Sequence, residues 1–542
     1  GEALLHALKE AGARALFGIP GDYVLPFFEI IEKSRILPLY TFSHEPAVGY
    51  AADAAARYGA GVGVAVVTYG AGALSMVNAA ACAWAERSPL VIISGAPGTN
   101  EHDQGLLLHH QIRQSGSQLR IFEELTCART VIDDPAKAPK EIARVLRAAL
   151  RHSRPVYIEL PRNVVQAACQ TPQLRQSESY DETAAQDCAR TIGRLLAGAK
   201  KPAILADVEV RRFGLEEAVA ALAEQAGIPL MTTFMGKGMF AGRGTACLGT
   251  YLGAAGDPVL SDIIENADCL LMLGVIACDT NLGMAGKKID LANAVRMNEG
   301  CTHAGGRKFE NVGLASLIYA LQKILPARVG ERPRLPISAA AKTPMLEGAR
   351  PLVADDIAGI INAQLENAPR MPLAVDVGDC LFISMGVRDV PLLASGYYAT
   401  MGFGVPAGLG VQAATGERPL IIVGDGGFQM TGWELLNCAR SGLDPVVLVL
   451  NNGGWGMLKQ MDPQAGYVLR DNISYAALAE MLGGVGYRAA TPGELATYLK
   501  TAFGRRGRFQ MIEAVLPRGE VSTTLKQYVA ALRSGMQRQA AA

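Results

Sequence analysis

The sequence predicts an α/β protein built from three doubly wound parallel-sheet domains. Short apolar runs alternate along the chain with segments of helical periodicity, which is the pattern of buried parallel strands joined by helices. A chain of 542 residues is also too long for one hydrophobic core. Its 60 glycines suit the many tight strand-to-helix turns that such sheets require.

Three blocks separate along the chain, at residues 1–163, 190–327 and 352–542. A polar, irregular segment precedes the second block, and a segment rich in Pro, Arg and Ala over 328–350 precedes the third, so both are predicted to be linkers. Strands are predicted at 15–17, 64–67, 90–93, 156–160, 203–205, 229–231, 270–273, 420–423 and 446–450. Helices are predicted over 430–441 and 523–533.

Composition argues against several classes of partner. The 51 basic and 51 acidic residues give a formal net charge of zero, so nothing indicates nucleic acid or an anionic membrane. No apolar run approaches the roughly 18 residues needed to span a bilayer. The first residues predict an amphipathic helix rather than a leader peptide, and the ten scattered cysteines indicate reduced thiols. We therefore expect a cytoplasmic protein.

The segment from Gly424 to Asn452 carries the most informative motif. Gly-Asp-Gly, with Asp425 at its centre, ends one predicted strand, and Asn451 and Asn452 end the next. Open α/β sheets bind ligands at the carboxyl ends of such strands. Asp425 and Asn452 can supply hard oxygen ligands to Mg²⁺, and the glycines let N–H groups approach a phosphate. The spacing predicts a metal-bridged diphosphate site; the alternative is a tight turn beside an unrelated asparagine pair.

Gly-Asp-Gly, 24 intervening residues and then Asn-Asn resembles the thiamine diphosphate (ThDP) motif of the pyruvate decarboxylase and acetolactate synthase superfamily. The resemblance implies pyrimidine-binding, central and diphosphate-binding domains, in that order. The segment 232–238 in the second block also resembles the central domain, which implies a structural role there. Mg²⁺ would be held by Asp425, Asn452 and the backbone of Gly454. The other implied cofactor contacts in the third block are Gly378, Asp379, Ala399, Met401, Gly424, Gly426 and Gly427.

Glu45 opens an alanine-rich segment of helical periodicity, in the frame Glu-x-Ala-x-Gly-Tyr-Ala-Ala-Asp. By itself, a glutamate at this position is explained by its favourable interaction with a helix N-terminus. The frame also resembles that of the superfamily's catalytic glutamate, which holds a proton against the pyrimidine ring of ThDP. The resemblance implies that Glu45 binds the cofactor and activates it.

Asp22, His109 and His110 are candidate acid–base residues. Taken alone, Asp22 is explained as a turn residue and helix cap, and histidines are more often structural than catalytic. A metal site with the nearby His102 and Asp103 would match no familiar ligand spacing. The adjacent histidines resemble the His-His motif of the decarboxylases, which implies proton transfer and substrate orientation. Asp22 favours a decarboxylase, because acetolactate synthases typically have glycine at that position.

Leu458 departs from many pyruvate decarboxylases, which place a second glutamate there. A branch of bacterial phenylpyruvate and indolepyruvate decarboxylases also has leucine, and Ser-His-Glu-Pro-Ala-Val-Gly, Leu-Leu-Leu-His-His-Gln and Thr-Gly-Trp-Glu-Leu are similar to that branch. An apolar wall favours a large planar substrate side chain over a methyl group. The predicted wall consists of Trp455, Leu458 and Met461, to which the resemblance adds Phe382 and Tyr528; the alternative is that these are ordinary core residues.

The sequence thus predicts a ThDP- and Mg²⁺-dependent, non-oxidative decarboxylase of phenylpyruvate and indole-3-pyruvate. The resemblance implies a homo-oligomer with active sites at the dimer interface. The expected assembly is at least a dimer, and the resemblance favours a tetramer. One alternative is an acetolactate synthase-like carboligase, against which Asp22 and the two histidines argue. The other is an inactive ThDP-binding sensor or scaffold, against which the presence of Glu45 and Asp425 argues.

Overall fold

The computed structural model describes residues 1–59, 61–101, 107–174, 179–242, 247–283, 289–327, 344–366, 368–388, 390–467 and 473–540. His102, Asp103 and most of the second predicted linker lie outside these residues. Within the described part of the chain there are three sheets with helices between their strands. None of the described helices combines the length and the hydropathy needed to cross a bilayer.

The first sheet has six parallel strands in the order β2-β1-β3-β4-β6-β5. Its central strands are buried along their whole length, because helices cover both faces and uninterrupted apolar runs fill the layer between them. Its elements are α1 Glu2–Glu10, β1 Leu16–Gly18, α2 Leu25–Ser34, β2 Leu39–Thr41, α3 Glu45–Tyr58, β3 Gly63–Val67, α4 Ala71–Ser75, α5 Val77–Ala85, β4 Leu90–Ala96, α6 Ser117–Ile121, β5 Ala128–Val131, α7 Ala138–His152 and β6 Val156–Pro161.

The second sheet has seven strands in the order β13-β12-β11-β10-β7-β8-β9 and is mixed. Its elements are α8 Glu182–Gly198, β7 Pro202–Ala206, α9 Val208–Arg212, α10 Glu216–Ala226, β8 Leu230–Thr232, β9 Cys247–Thr250, a 3₁₀ turn Gly253–Ala255, α11 Pro258–Glu265, β10 Cys269–Leu273, β11 Val295–Asn298, β12 Gly300–Ala304, β13 Arg307–Val312 and α12 Leu314–Ile324.

The antiparallel edge of the second sheet differs from the purely parallel arrangement that the sequence predicted. Gly305 and Gly306 have φ angles of +57° and +74° and close a two-residue hairpin between β12 and β13. Only Glu299 separates β11 from β12. A parallel connection needs a crossover of a dozen or more residues, so these short connections force the chain to reverse.

The third sheet has six parallel strands in the order β15-β14-β16-β17-β19-β18, the same order as in the first sheet. Its elements are α13 Ala354–Leu365, β14 Leu373–Val375, α14 Asp379–Ser384, β15 Leu392–Ala394, α15 Gly404–Thr415, β16 Leu420–Gly424, α16 Asp425–Thr431, a 3₁₀ turn Gly432–Asn437, α17 Cys438–Ser441, β17 Val446–Asn451, α18 Gly456–Met461, α19 Tyr475–Met481, β18 Val485–Ala489, α20 Pro492–Gly504, β19 Gln510–Val515 and α21 Thr523–Ala540.

The segment between β16 and β17 also differs from the prediction of one continuous helix over 430–441. Helix α16 begins earlier, at Asp425, and the 3₁₀ turn Gly432–Asn437 interrupts the run. This turn brings the backbone of Gly432 against the ring of Phe428, where a Cβ atom would lie at 2.4 Å. Because α16 begins at Asp425, this helix starts directly at the acidic residue of the Gly-Asp-Gly motif.

The first and third sheets pack together through α3 and α15. A Cβ atom on Gly410 of α15 would lie 2.1 Å from the carbonyl oxygen of Ala51 in α3, so the two helix backbones are in close contact. Tyr50 of α3 forms a 2.9 Å hydrogen bond with Thr400, just before α15.

The strand order of the first sheet reverses beside β1, and that of the third sheet reverses beside β14. Open α/β sheets bind ligands at such a reversal, in the crevice at the carboxyl ends of the strands.

Candidate active site

A cavity of about 370 Å³ opens at the carboxyl ends of β14, β16 and β17. Its volume lies within the range of roughly 300–1,000 Å³ that is usual for small-molecule sites. Fourteen of the residues that the sequence proposed for the cofactor, the metal or the substrate line it: Gly378, Asp379, Phe382, Ala399, Met401, Gly424, Asp425, Gly426, Gly427, Asn452, Gly454, Trp455, Leu458 and Tyr528.

The three proposed metal ligands all line this cavity, and two of them, Asp425 and Gly454, are in direct contact. Asp425 is 3% exposed, and its Oδ2 accepts a hydrogen bond from the N–H of Gly454 at 2.8 Å. The side-chain amide nitrogen of Asn452 donates to the carbonyl of Glu520 at 2.9 Å, which leaves the amide oxygen as the atom of this side chain that could bind a cation. A carboxylate, an amide oxygen and a backbone carbonyl form the hard-oxygen donor set that suits Mg²⁺.

Two glycines beside Asp425 are required by close contacts. A Cβ atom on Gly426 would lie 2.4 Å from the indole of Trp455, and one on Gly427 would lie 3.0 Å from the carboxylate of Asp376. The backbone therefore carries no side chain at these two positions on the edge of the cavity. N–H groups can approach a phosphate closely only where the backbone is free of side chains in this way. The glycines and the oxygen donors together fit a diphosphate bridged by a divalent cation.

The segment that carries Ala399 and Met401 is held in an unusual conformation. Ala399 has a φ angle of +56°, which is uncommon for a residue with a Cβ atom and is found at functional sites. The buried carboxylate of Asp376 accepts hydrogen bonds from the N–H groups of Gly402 at 3.0 Å and Gly404 at 2.9 Å. Burial raises the pKa of Asp376 to about 6, although these hydrogen bonds act to lower that pKa. Sequence reasoning did not identify Asp376, although it directly follows β14.

Asp22, His109 and His110 form a second cluster, at the carboxyl end of the first sheet. His109 is hydrogen-bonded through Nε2 to Asp22, and Nε2 of His110 lies 4.0 Å from Asp22 Oδ1. Burial alone would raise the pKa of Asp22, but the hydrogen bond and charge of His109 outweigh it and lower this pKa. The ligand atoms of the three residues lie within 4.8 Å of one another, so a metal ion is geometrically conceivable. Both ring nitrogens of His109 already have protein partners, which favours the acid–base interpretation.

Glu45 is the first residue of α3 and lies near the same cluster. Its Oε1 is 3.6 Å from the position of a Cβ atom on Gly72, and the side chain of Thr68 is 3.1 Å from that position. Thr68 in turn donates to Asp22 at 3.5 Å. The four residues proposed for proton transfer are therefore neighbours at one edge of the first sheet.

Glu434 anchors the start of α3 from the third sheet. Its carboxylate accepts a hydrogen bond from the N–H of Ser43 at 3.0 Å and another from the amide of Asn437 at 2.8 Å. Burial raises the pKa of Glu434 to about 7, although these bonds act to lower it. Glu434 was not proposed as a site residue, but it lies within the Thr-Gly-Trp-Glu-Leu segment on which the resemblance partly rested.

In the described part of the chain, the two sets of proposed site residues lie in different places. Asp22, Glu45, His109 and His110 are absent from the described lining of the cavity. Met461 is absent from it too and lies 37% exposed at the end of α18, so its place in the substrate wall stays a prediction. Phe234 and Thr280 of the second block do line the cavity. The sequence feature that could have identified Phe234 as a cavity residue is its position just after the strand at 230–232.

Comparison with protein families assigns each of the three blocks to a domain of one enzyme class. Residues 1–120 match the N-terminal TPP binding domain of thiamine pyrophosphate enzymes, residues 189–314 match their central domain, and residues 376–514 match their C-terminal TPP binding domain. Thiamine pyrophosphate is the same compound as ThDP. The fold and the site thus define an enzyme of the ThDP-binding class.

Curated relatives narrow this class. The indole-3-pyruvate decarboxylase of Azospirillum brasilense is 48% identical over 535 residues, which cover 97% of each chain. An alpha-keto-acid decarboxylase of Mycobacterium avium (strain 104) is 29% identical over 547 residues, 98% of this chain and 96% of that protein. One of Mycobacterium tuberculosis (strain H37Rv) is 29% identical over 549 residues, 98% of this chain and 97% of that protein. The chain belongs to the family of ThDP-dependent 2-oxo acid decarboxylases, which are carboxy-lyases.

Proposed function

We propose that this protein decarboxylates aromatic 2-oxo acids, phenylpyruvate and indole-3-pyruvate, to the aldehyde and CO₂. The observation that carries this proposal is a row of aromatic rings along the cavity. The centroids of Phe234 and Phe382 lie 5.7 Å apart, and those of Phe382 and Tyr528 lie 4.8 Å apart. Rings at such distances offer tilted and edge contacts to a further aromatic group. The name of the Azospirillum brasilense relative also supports an aromatic substrate.

Bound ThDP would supply the electron sink for the loss of CO₂. The chain's own residues would do the rest. We infer that Asp425, Asn452 and the carbonyl of Gly454 hold Mg²⁺, and that the remaining cavity-lining residues proposed for the cofactor contact ThDP. Glu45 would hold a proton against the pyrimidine ring. Asp22, His109 and His110 would then deliver the proton that releases the aldehyde, because Leu458 cannot.

The two half-sites support a homodimer with active sites between subunits. Three apolar residues after Asp425, namely Met430, Trp433 and Leu436, are spaced three positions from one another. Each is more than half exposed, at 53%, 58% and 55%. Exposed apolar side chains grouped in this way mark association surfaces. We infer that a second copy of the chain covers them and brings its Glu45 to this cavity. Similarity to the decarboxylases further supports a tetramer built from two such dimers.

Complementation tests the shared active site. Glu45→Gln and Asp425→Ala chains, each inactive alone, are co-expressed and the mixed dimers are assayed. If Glu45 and Asp425 of different chains meet, each mixed dimer contains one intact site, and a random mixture regains about a quarter of wild-type activity. If each site is built from a single chain, every site carries one substitution and activity stays at background, which would overturn the proposal.

Substrate preference tests the function itself. We expect kcat/KM for phenylpyruvate or indole-3-pyruvate to exceed that for pyruvate by at least about 10²-fold, because ring burial contributes free energy that a methyl group cannot. Phe382→Leu should lower the values for aromatic substrates by roughly 2–10-fold, the worth of an aromatic pair. Met481→Leu, at an exposed methionine of α19 outside the described cavity lining, is the matched control. Similar wild-type values for pyruvate and phenylpyruvate would contradict an aromatic specificity.

We also propose that the protein is cytoplasmic and has no nucleic-acid or membrane partner. All ten cysteines lie in the described part of the chain and are free thiols, and five of them are buried. Burial raises the pKa of Cys127, for example, to about 11, so this thiol stays protonated and unreactive at neutral pH. Free thiols of this kind are usual in reducing compartments.

A further inference from the structure

Glu45 is the first residue of α3, but this helix has no side-chain cap of its own. The N-cap residue, His44, makes no hydrogen bond from its side chain to the helix. Residues 41–44, the α3 entry, lead from the last residue of β2 to the start of the helix. The position of the Glu45 carboxyl therefore depends on what holds the α3 entry.

Three side chains of the third block, the anchor row, hold the α3 entry: Glu434, Asn437 and Arg440. The N–H of Ser43 donates to the Glu434 carboxylate at 3.0 Å, and the Asn437 amide donates to the Ser43 hydroxyl at 3.1 Å. Arg440 donates to the carbonyl of Thr41 at 2.9 Å. The row is also bonded internally, since Asn437 donates to Glu434 and Arg440 donates to Asn437, both at 2.8 Å.

The spacing of the anchor row follows from the local helix type. Its members are three positions apart, and the 3₁₀ turn Gly432–Asn437 leads directly into α17. Side chains three positions apart lie above one another in a 3₁₀ helix and on the same side of an α-helix. The exposed residues Met430, Trp433 and Leu436 have the same spacing, shifted by one position. One face of this segment thus holds the α3 entry, and the other is the surface inferred above to meet a second copy.

Glu434 is the buried centre of the anchor row. It is 2% exposed, and a carboxylate removed from water to this extent needs hydrogen-bond partners. An amide in its place would have one acceptor oxygen instead of two, and its NH₂ group would face the NH₂ group of Asn437. Replacing Glu434 by glutamine should therefore loosen the α3 entry without changing the volume of the side chain.

We propose that Glu434 is a positioning residue for Glu45, because it fixes the chain from which the Glu45 carboxyl reaches the pyrimidine ring. This inference rests on the function proposed above. Glu434 follows Asp425 by nine positions, yet it would serve the half of the shared active site that contains Glu45. Its replacement should affect proton transfer to and from the cofactor, and should leave the binding of Mg²⁺ and ThDP intact.

The first test compares Glu434→Gln with the wild type. In the cofactor-free protein, amide hydrogen exchange measured by mass spectrometry should be faster in the peptide that contains the α3 entry. With ThDP and Mg²⁺ bound, proton exchange at the thiazolium carbon should slow roughly 10-fold, the scale of a hydrogen bond to a charged group. The affinity for ThDP should equal that of the wild type, because the proposed metal ligands are unchanged.

Glu299→Gln is the matched control. The Glu299 carboxylate also accepts an N–H at the start of a helix, that of Leu314 in α12 at 2.7 Å, and it does not line the described cavity. Neither thiazolium exchange nor ThDP affinity should change in this variant. Equal slowing in Glu299→Gln, or a wild-type exchange rate in folded Glu434→Gln, would overturn the proposal. A loss of ThDP affinity in Glu434→Gln as large as that in Asp425→Ala would overturn it too.

Mixed dimers show which half of the shared site Glu434 serves. In a random mixture of Glu434→Gln and Asp425→Ala chains, each mixed dimer has one intact site, so activity should be about a quarter of that of the wild type. In a random mixture of Glu434→Gln and Glu45→Gln chains, every site is impaired, and activity should be only about 5%. The reverse pattern would place the effect of Glu434 in the metal-binding half of the site and overturn the proposal.

Failure of the proposed function would give a different result. Amide exchange and thiazolium exchange require no 2-oxo acid, so a wild-type enzyme that ignores aromatic substrates would contradict the proposed function and leave both exchange measurements valid. If Glu45→Gln and Asp425→Ala chains do not complement each other, the shared site is contradicted, and the two exchange measurements decide the role of Glu434.

Discussion

Replacing Asp425 by alanine is expected to abolish the Mg²⁺-dependent retention of ThDP. The carboxylate is buried at 3% exposure, where the negative charge of a diphosphate would need a cation to compensate it. Removal of partners in the outer shell of a metal site typically costs about 10–100-fold in affinity, so loss of a direct ligand should cost at least about 10²-fold. Isothermal titration calorimetry with ThDP, with and without Mg²⁺, measures the effect.

Asp355→Ala is a matched control for this experiment. Asp355 is also an aspartate of the third block, but it bonds the N–H of Thr523 at 2.8 Å and does not line the cavity. ThDP binding by this variant should equal that of the wild type. If Asp425→Ala is folded by circular dichroism and still binds ThDP with wild-type affinity, the assignment of Asp425 to the metal is wrong.

Replacing Glu45 by glutamine should lower turnover by at least about 10²-fold, the usual scale for a residue that transfers protons. Glutamine has nearly the same shape and can occupy the N-terminus of α3, so the fold should persist. It has no carboxyl proton to hold against the pyrimidine ring. The direct measurement is hydrogen–deuterium exchange at the thiazolium carbon of enzyme-bound ThDP, followed by NMR, which should slow in parallel with turnover.

Glu29→Gln provides the comparison for Glu45. Glu29 lies on α2 and pairs with Lys33 at the surface, where such pairs contribute little. Exchange at the thiazolium carbon should be unaffected in this variant. Exchange at the wild-type rate in Glu45→Gln would remove Glu45 from cofactor activation and leave the loss of turnover to another cause.

Local sequence determined much of the fold and of the proposed cofactor site. The apolar runs at 420–423 and 446–450 became the adjacent parallel strands β16 and β17, because a strand covered on both faces must be apolar throughout. Asp425 and Asn452 follow these strands directly, so the chain had no freedom to place them elsewhere. The antiparallel strands β11 to β13 were not predicted, although two consecutive glycines, Gly305 and Gly306, are typical of a hairpin turn.

Only the tertiary structure decided which distant residues meet. Asp22 and His109 are 87 positions apart, and Ser43 and Glu434 are 391 apart, and no local pattern encodes either hydrogen bond. The exclusion of Met461 from the cavity lining likewise depends on how α18 packs. Motifs specify backbone conformation and residue chemistry over short stretches, whereas partners are set by the packing of whole sheets. For that reason the sequence could propose the acid–base residues, and the fold alone placed them away from the described lining of the cavity.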